Sequence, residues 1–266
     1  MIQALKKIDW KVFAVLLGAG LLGVVAILPY VMDLLGTSMI DRGSARDIPF
    51  PLVVILAIVQ NGVLLAVVIA IGMILSERVG LQMPLIRSWV AGRRPRNVRA
   101  VALPGIAVGA AVGAVLVGIE ATFFLRHLPA AMRPAFEIAL WKRLLAGVVY
   151  GGITEELLMR LFLVSLAAWL FSRRWKTREG LPTTGAFWTA IALVAIVFGL
   201  GHLPATSLMT PLTSLIVARA LVLNGVAGIA FGWLFWKYGL EAAMLGHMSA
   251  HVVMQAPGVM LLRAIL

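Results

Sequence analysis

Residues 144–172 read LLAGVVYGGITEELLMRLFLVSLAAWLFS, a long apolar run with two adjacent glutamates and an arginine near its middle. A helix needs about 20 predominantly apolar residues to cross the hydrocarbon core of a bilayer. The seven runs of this kind in the chain are residues 12–35, 51–76, 100–125, 144–172, 183–203, 211–236 and 240–262. The sequence therefore predicts an all-α, polytopic transmembrane helix bundle of seven spans. The proline-interrupted stretch 127–143 is a candidate for an eighth, interfacial or re-entrant segment.

The composition agrees with a membrane protein. Hydrophobic residues make up 62% of the chain and charged residues 13%, with a mean hydropathy of +1.01, whereas soluble domains are about half apolar and a quarter charged. This excludes a soluble enzyme, a disordered protein and a nucleic-acid-binding module, so nucleic acid is not an expected partner. The net charge of +12 comes from basic residues between the apolar runs, where they meet lipid phosphates. The absence of cysteine excludes disulfides and thiolate metal sites.

The distribution of basic residues predicts the orientation. With the N-terminus inside, the inner segments hold about twice as many lysines and arginines as the outer ones, as the positive-inside rule requires. The first span follows Lys6 and Lys7 but is too long for a signal peptide and lacks a cleavage motif, so we interpret it as an uncleaved anchor. We expect an integral protein of a prokaryotic plasma membrane, with a cytoplasmic N-terminus.

Two regions are distinguished by their polar residues. Residues 1–135 hold the first three spans and a basic cytoplasmic loop, residues 77–99, which carries six arginines and which we expect to be solvated and lipid-facing rather than a substrate-docking segment. Residues 136–266 hold the remaining spans and most of the ionisable residues within spans.

Glycines at every fourth position predict close helix packing, because small residues let helix backbones approach in lipid. The glycines with this spacing are Gly105, Gly109 and Gly113, then Gly147 and Gly151, then Gly228 and Gly232. Other polar residues within or beside spans have structural interpretations: an interhelical pair of Glu120 and Arg219, an interhelical hydrogen bond from Asn224, and an i,i+4 pair of Lys237 and Glu241.

Three charges in the fourth span need compensation. Glu155, Glu156 and Arg160 lie near its middle, with Glu155 about 18 Å from the basic residues at its outer end. Unpaired, the three would cost about 8–10 kcal/mol. Glu156 and Arg160 are four residues apart and can pair on one face, which leaves Glu155 free to point elsewhere. The alternative is one buried ion network that only locks the bundle.

Three histidines accompany these charges. His202 closes the fifth span, while His247 and His251 lie four residues apart on one face of the seventh. His127, in an outer connection, needs no functional interpretation. Together with Glu155, the three histidines indicate a polar cluster that binds water or a metal.

A carboxylate with imidazoles suits hydrolysis by activated water. Glu155 would be the general base, and the imidazoles would polarise the water, hold a metal or stabilise an oxyanion. Glu155, His202 and His247 would also satisfy a catalytic zinc site with an open position. No H-E-x-x-H, G-x-S-G or G-x-G-D motif occurs, which argues against the zincin-like, rhomboid and presenilin-type membrane proteases. No organic cofactor is expected.

At these residues the sequence resembles the CPBP family, named for CAAX prenyl proteases and bacteriocin-processing enzymes and also called the abortive-infection (Abi) family. Its pattern is E-E-x-x-x-R, then F-x-x-x-H, then H-x-x-x-N or H-x-x-x-D, on three helices. The matching residues are Glu155, Glu156 and Arg160, then Phe198 and His202, then His247 with position 251. The resemblance covers about residues 140–256, and position 251 departs from it because it is a histidine.

The resemblance implies an intramembrane endopeptidase, of the metallo or the glutamate type, with its active site in a C-terminal core of four helices. It implies that Glu155 and His202 activate water and that His247 and His251 stabilise the tetrahedral intermediate. Glu156 and Arg160 would brace the first motif. The expected partners are membrane lipid and a peptide or lipidated protein, with a prenylated one as a candidate substrate.

Two other functions are compatible with these residues. A catalytically impaired scaffold of the same fold would be explained by His251. A proton-coupled transporter would also place Glu and His within spans, but it predicts matching broken helices in two halves, whereas the polar residues here are concentrated in the C-terminal half.

Overall fold

Long apolar helices dominate the computed structural model, which describes residues 8–41, 49–95 and 97–265. The helices are α1 (Trp10–Asp41), α2 (Phe50–Arg78), α3 (Pro84–Val90), α4 (Val98–Ile119), α5 (residues 140–172), α6 (Thr184–Gly201), α7 (Leu203–Ser207), α8 (Ser214–Tyr238), α9 (Leu240–Val253) and α10 (Val259–Ile265). Short 3₁₀ and π-helical segments extend or connect them at Glu120–Phe124, Leu125–His127, Ala130–Phe136 and Met254–Gly258. No strand occurs in these described ranges, which confirms the all-α prediction.

Helix α5 is built differently from the others. Its backbone is α-helical over Leu140–Leu144 and Ser165–Ser172, and π-helical over Leu145–Glu155 and Leu157–Val164. Extended π-helix is rare, and single π-helical turns within α-helices are frequent at functional sites. The two π-helical segments meet at Glu156, so both adjacent glutamates lie at their junction.

Six helical segments of the described chain are long and apolar enough to cross a membrane. They are Trp10–Leu34, Val54–Arg78, Val98–His127, Thr184–Ser207, Ser214–Tyr238 and Leu240–Ile265. These correspond to six of the seven predicted spans. The remaining one is α5, roughly 50 Å long at 1.5 Å per residue but set apart by its three charges. Within 127–143 the structure has the seven-residue 3₁₀ segment Ala130–Phe136, too short for a further span.

Helices α5 and α9 form the centre of the bundle, and the first spans pack around them. The Thr154 hydroxyl of α5 donates a hydrogen bond to the Gly20 carbonyl of α1 (2.8 Å). Further along α5, Leu161 packs against Gly72 of α2, where a Cβ atom would lie 2.8 Å from the Leu161 carbonyl oxygen. The N-terminal helices therefore support the helix that carries the two glutamates.

The predicted glycine packing is present between α4 and α9 and between α8 and α6. A Cβ atom at Gly105 would lie 2.6 Å from the Ala242 carbonyl oxygen, and one at Gly228 would lie 2.8 Å from the Ala195 Cα atom. Gly109 and Gly113 pack against backbone in the same way, whereas Gly232 faces the Ile191 side chain. Close approach of the backbones at these points holds α9 and α6 in place.

The basic loop is partly docked rather than solvated as expected. Leu81 and Met83 are buried (4% and 0% exposed), and the loop contains the short helix α3. The Glu241 Oε1 atom of α9 accepts hydrogen bonds from the Leu85 and Ile86 backbone N–H groups at the start of α3, both at 2.8 Å. The free N–H groups of a helix N-terminus favour such a carboxylate.

Two of the structural interpretations were wrong and one is confirmed. Glu241 binds α3 and does not pair with Lys237, whose ammonium lies over the Trp236 ring. The Asn224 amide donates within its own helix, to the Ala220 carbonyl (2.9 Å). Glu120 and Arg219 do pair across helices, with Arg219 Nε 2.9 Å from Glu120 Oε2.

The outer faces of the bundle are apolar. Large hydrophobic side chains that are more than half exposed occur along several of the long helices, as in Leu22, Val59, Val63, Phe123, Ile196 and Met260. Exposed apolar surface on this scale is typical of contact with lipid. The chain is an integral membrane protein.

Candidate active site

The Glu156 carboxylate on α5 joins two of the predicted site residues. Its Oε1 atom lies 2.9 Å from Arg160 Nη1 and accepts a hydrogen bond from His247 Nδ1 at 2.7 Å. All three side chains are buried, Glu156 completely. The predicted i,i+4 pair is therefore present, and the same oxygen also binds the histidine of the third motif on α9.

The Arg160 guanidinium lies between two aromatic rings. Its Cζ atom is 5.1 Å from the centre of the Phe198 ring and 5.4 Å from that of Phe231. Cation–π contacts of this kind offset part of the cost of burying the charge. Phe231, on α8, also stacks on the His247 ring (4.9 Å between centroids). The sequence analysis missed Phe231, because no spacing within α8 distinguishes it from other core residues.

The His247 imidazole is oriented by its partner. Because Nδ1–H donates to Glu156, Nε2 faces the other way and lies 3.8 Å from Glu155 Oε2. This separation is too long for a direct hydrogen bond, and polar groups so spaced are often bridged by a water molecule. The Glu155 side chain is 17% exposed, in contrast to the completely buried Glu156.

His202 lies at the C-terminal end of α6 and is anchored by its own helix. Its Nδ1 donates to the Phe198 carbonyl oxygen at 2.8 Å, which leaves Nε2 as the free acceptor. The Phe198 ring contacts both the His202 ring (4.8 Å) and the His247 ring (6.1 Å). Phe198 therefore links the second motif to the other two.

His251 stacks on His247, one helical turn away. The ring centroids are 5.0 Å apart and the planes differ by 17°. Its Nδ1 atom is buried and has no hydrogen-bond partner in the part of the chain that the structure describes. The structure thus brings the histidine that departs from the family pattern into the same cluster as the other site residues.

Glycines on α5 make room for the two imidazoles. A Cβ atom at Gly147 would overlap the His251 ring, and one at Gly151 would lie 3.1 Å from His247 Nε2 and 3.2 Å from His251 Nε2. The sequence analysis assigned Gly147 and Gly151 to backbone packing. They contact the imidazole rings instead, because the π-helical stretch of α5 faces α9 at this level.

The fourth histidine lies outside this cluster. His127 lies in the connection between α4 and α5 and is exposed, with Nδ1 3.3 Å from the Phe123 carbonyl oxygen of its own helical turn.

Zinc binding stays a prediction. His202 and His247 each hold Nδ1 in a hydrogen bond and leave Nε2 free, an arrangement common for metal-ligating histidines. However, within residues 8–41, 49–95 and 97–265 no three His, Asp or Glu side chains are grouped so that they could hold one metal ion. The residues as arranged do not form a three-ligand site, and we derive no step through a metal.

Part of the chain matches a known family model. Residues 137–253 match the family model described as "Type II CAAX prenyl endopeptidase Rce1-like". The match covers α5, α6, α8 and α9, the helices that carry every residue of the three motifs. Comparisons with curated proteins and with solved structures gave no significant match. Residues 137–253, less than half of the chain, therefore resemble type II CAAX prenyl endopeptidases of the Rce1-like family, which supports the resemblance to the CPBP family seen in the sequence.

Proposed function

We propose that this protein is an intramembrane endopeptidase that hydrolyses a peptide bond with a water molecule activated by Glu155 and His202. The observation that carries the proposal is the grouping of three side chains: the Glu155 carboxylate lies 3.8 Å from His247 Nε2, and the His202 and His247 rings contact the same Phe198 ring. A partly exposed carboxylate facing a fixed imidazole is the arrangement that general-base hydrolysis needs.

The chemistry follows from the hydrogen bonds of each ring. With Nδ1–H bound to the Phe198 carbonyl, His202 Nε2 accepts a hydrogen bond from the water, and Glu155 takes the proton as the water oxygen attacks the carbonyl carbon. The Glu155 carboxylic acid then passes this proton to the departing amine nitrogen when the C–N bond breaks. The products are a new carboxyl terminus and a new amino terminus.

His247 and His251 form the oxyanion site in this proposal. Glu156 accepts a hydrogen bond from His247 Nδ1–H. A carboxylate in this position stabilises a positively charged imidazole, as in the Ser-His-Asp triad. When it is protonated, His247 directs Nε2–H toward the carbonyl oxygen, on which negative charge develops. His251, stacked on His247, is a second donor for that oxygen.

The substrate we propose is a membrane-associated protein or peptide, with a prenylated protein as the first to test, because the matching family model describes CAAX prenyl endopeptidases. The lipid-facing surface allows such a substrate to arrive from within the bilayer. We further propose a cytoplasmic N-terminus in a prokaryotic plasma membrane.

The test is cleavage by the purified full chain of a prenylated reporter and a peptide library. Glu155→Gln and His202→Ala should each lower kcat/KM by at least about 100-fold, the range for loss of a general base or a transition-state donor. Glu179→Gln, in an exposed loop, is the matched control and should cleave normally. A wild-type chain that cleaves neither substrate, or variants that cleave as it does, would refute the proposal.

A metal test belongs to the same experiment. Metal-free water activation predicts that a strong chelator leaves cleavage unchanged and that the active protein contains no stoichiometric zinc. Loss of cleavage on chelation, restored by zinc, would instead assign the metallo type.

A further inference from the structure

One amide side chain of α8 points into the bundle. Val222 and Ile229, seven residues apart on one face of α8, are 41% and 44% exposed and mark its lipid-facing side. Asn224 follows Val222 by two residues, which places it about 200° further around the helix. It shares that opposite face with Gly228 and Phe231, both of which are buried. The Asn224 side chain therefore lies on the inner side of α8.

Helix α6 runs along one side of Asn224. A Cβ atom at Gly228, one turn after Asn224, would lie 2.8 Å from the Ala195 Cα atom. A Cβ atom at Gly199 would lie 3.0 Å from the Cα atom of Leu221, three residues before Asn224. Asn224 is therefore at the level of the α6 turn that lies between these two contacts.

The residues around Asn224 contact the candidate active site. Phe198 lies in that turn of α6, and its ring is 4.8 Å from the His202 ring and 6.1 Å from the His247 ring. Phe231, two turns further along the same face of α8, stacks on His247 of α9. Asn224 therefore faces the space between α6 and α9 into which these imidazoles project.

The Asn224 amide has a free donor and a free acceptor. Its Nδ2 atom donates one hydrogen to the Ala220 carbonyl oxygen at 2.9 Å. In the part of the chain that the structure describes, that is the side chain's one hydrogen bond, so the second N–H and Oδ1 are unused. Asn224 is half-buried although its face is turned away from lipid. These two groups therefore face accessible space inside the bundle.

A peptide that is cleaved inside a helix bundle needs partners for its main chain. In an extended segment, the N–H and C=O groups have no helical partner, and leaving them unsatisfied away from water costs free energy. The N–H and C=O groups of one extended residue point to the same side, as they do in a hydrogen-bonded pair of an antiparallel sheet. A side-chain amide with one N–H and one oxygen free is complementary to that pair of groups.

We propose that Asn224 binds the main chain of the peptide substrate at one residue beside the scissile bond. Its free Nδ2–H donates to the C=O group of that residue, and Oδ1 accepts from the N–H group. This inference rests on the peptidase function proposed above. It makes Asn224 a substrate-binding residue that holds the segment extended next to Phe198 and takes no part in proton transfer.

The test is a cycle between Asn224 and the substrate main chain. The full chain, as wild type or Asn224→Leu, cleaves reporter peptides in which one non-scissile peptide bond is replaced by an ester, which removes a single N–H. At one position the ester should lower kcat/KM of the wild type by about tenfold, in line with one hydrogen bond. The same ester should change kcat/KM of Asn224→Leu by less than about twofold. Because each ratio compares two substrates on one preparation, loss of folded protein cancels.

Binding is measured separately from cleavage. In the full chain with Glu155→Gln, fluorescence anisotropy of the labelled peptides should show the same loss of affinity at the same ester position. Adding Asn224→Leu to this chain should remove that sensitivity. If the leucine variant does not fold, Asn224→Ala carries the same cycle, since it also lacks the amide.

A second asparagine provides the matched control. Asn61 also donates to the carbonyl oxygen four residues before it, that of Ala57, at 2.9 Å. It lies on α2, which packs against α1 and α5 through Gly62 and Gly72. Asn61→Leu should therefore keep the full ester sensitivity of the wild type in both measurements.

The outcomes distinguish this inference from the proposed function. Ester effects that are equal in the wild type and Asn224→Leu at every position would overturn the inference and leave the peptidase function intact. Binding that depends on Asn224, in a protein whose wild type cleaves nothing, would support the inference and overturn the peptidase function. A protein that neither binds nor cleaves the peptides would overturn both.

Discussion

One oxygen atom of Glu156 holds the first and third motifs together. Arg160 Nη1 and His247 Nδ1 both lie within 3 Å of it, and the guanidinium is buried between two aromatic rings. If that oxygen loses its charge, Arg160 is left buried without its carboxylate partner and His247 without its charged acceptor. Glu156 therefore positions the site, while Glu155, turned toward Nε2 of His247, is free for chemistry.

Glu156→Gln should destabilise the protein by about 3–5 kcal/mol, the range for breaking a buried ion pair from one side. Unfolding of the detergent-solubilised chain by heat or denaturant measures this. Glu137→Gln is the control, because Glu137 is 72% exposed and pairs with Arg263 at the surface, where such pairs contribute little. Equal stability of the two variants would show that Glu156 has no bracing role.

Gly147→Ala should abolish or strongly reduce cleavage, because the added methyl group overlaps the His251 ring. Overpacking of this kind costs about 1–3 kcal/mol. Gly225→Ala is the matched control, because a Cβ atom at Gly225 would have no neighbour within 4 Å. Combining Gly147→Ala with His251→Ala removes the imidazole ring that the methyl group overlaps and should restore part of the stability. If the single variant unfolds and cleaves like the wild type, the packing of His251 against α5 is wrong.

Residue spacing predicted part of this arrangement. The four-residue interval between Glu156 and Arg160 predicted their ion pair. The order of the three motifs predicted the set of candidate site residues. The contact between Glu156 and His247 lay beyond sequence reasoning, because it joins residues 91 positions apart through the packing of α5 on α9. Gly147 was misinterpreted for the same reason: its neighbour is a side chain on another helix.

At the scale of single elements, α3 is fixed by a residue far from it in sequence. Glu241, at the start of α9, accepts hydrogen bonds from the first N–H groups of α3. The same helix continues six residues later to His247. The basic loop is therefore attached to the element that carries the third motif.

Glu241→Gln should loosen α3. Loss of a carboxylate cap costs about 0.5–2 kcal/mol, so hydrogen exchange of the Leu85 and Ile86 amides should accelerate by about tenfold. Mass spectrometry of peptides from residues 77–99 measures this. Glu179→Gln, in an exposed loop, should leave the exchange of these peptides unchanged. Exchange that is equally slow in the Glu241 variant would contradict the capping role.

The long helices were predictable because hydropathy over 20 residues reports burial in lipid without reference to any partner. Helix α5 was predicted from its length, although its charges and its π-helical backbone set it apart from the other spans. The docking of α3 was not predictable. The acceptor for its N–H groups lies more than 150 residues away, and the arginines of the loop suggested a solvated segment.

At the scale of the whole molecule, the candidate active site lies between two central helices that are enclosed by the others. Helices α1 and α2 pack on α5, and α4 packs on α9. The N-terminal spans therefore complete the bundle around the site. The predicted orientation then puts the start of α5 on the outer side.

The chain contains no cysteine. Its orientation in the membrane is therefore testable with variants that each carry one introduced cysteine. With a cytoplasmic N-terminus, a membrane-impermeant maleimide added to intact cells should label Arg133→Cys and should label Arg93→Cys only after permeabilisation. Both positions are exposed in the structure. The reverse pattern would invert the topology.

If Glu155 and His202 activate the same water molecule, the effects of removing them are coupled. A double-mutant cycle measures that coupling. We would determine kcat/KM for the wild type, Glu155→Gln, His202→Ala and the double variant on one prenylated reporter. Groups that activate the same water molecule are strongly non-additive, so the double variant should be no slower than the slower single variant, within about threefold. Losses that multiply would mean that Glu155 and His202 act on separate events, which contradicts a shared catalytic water.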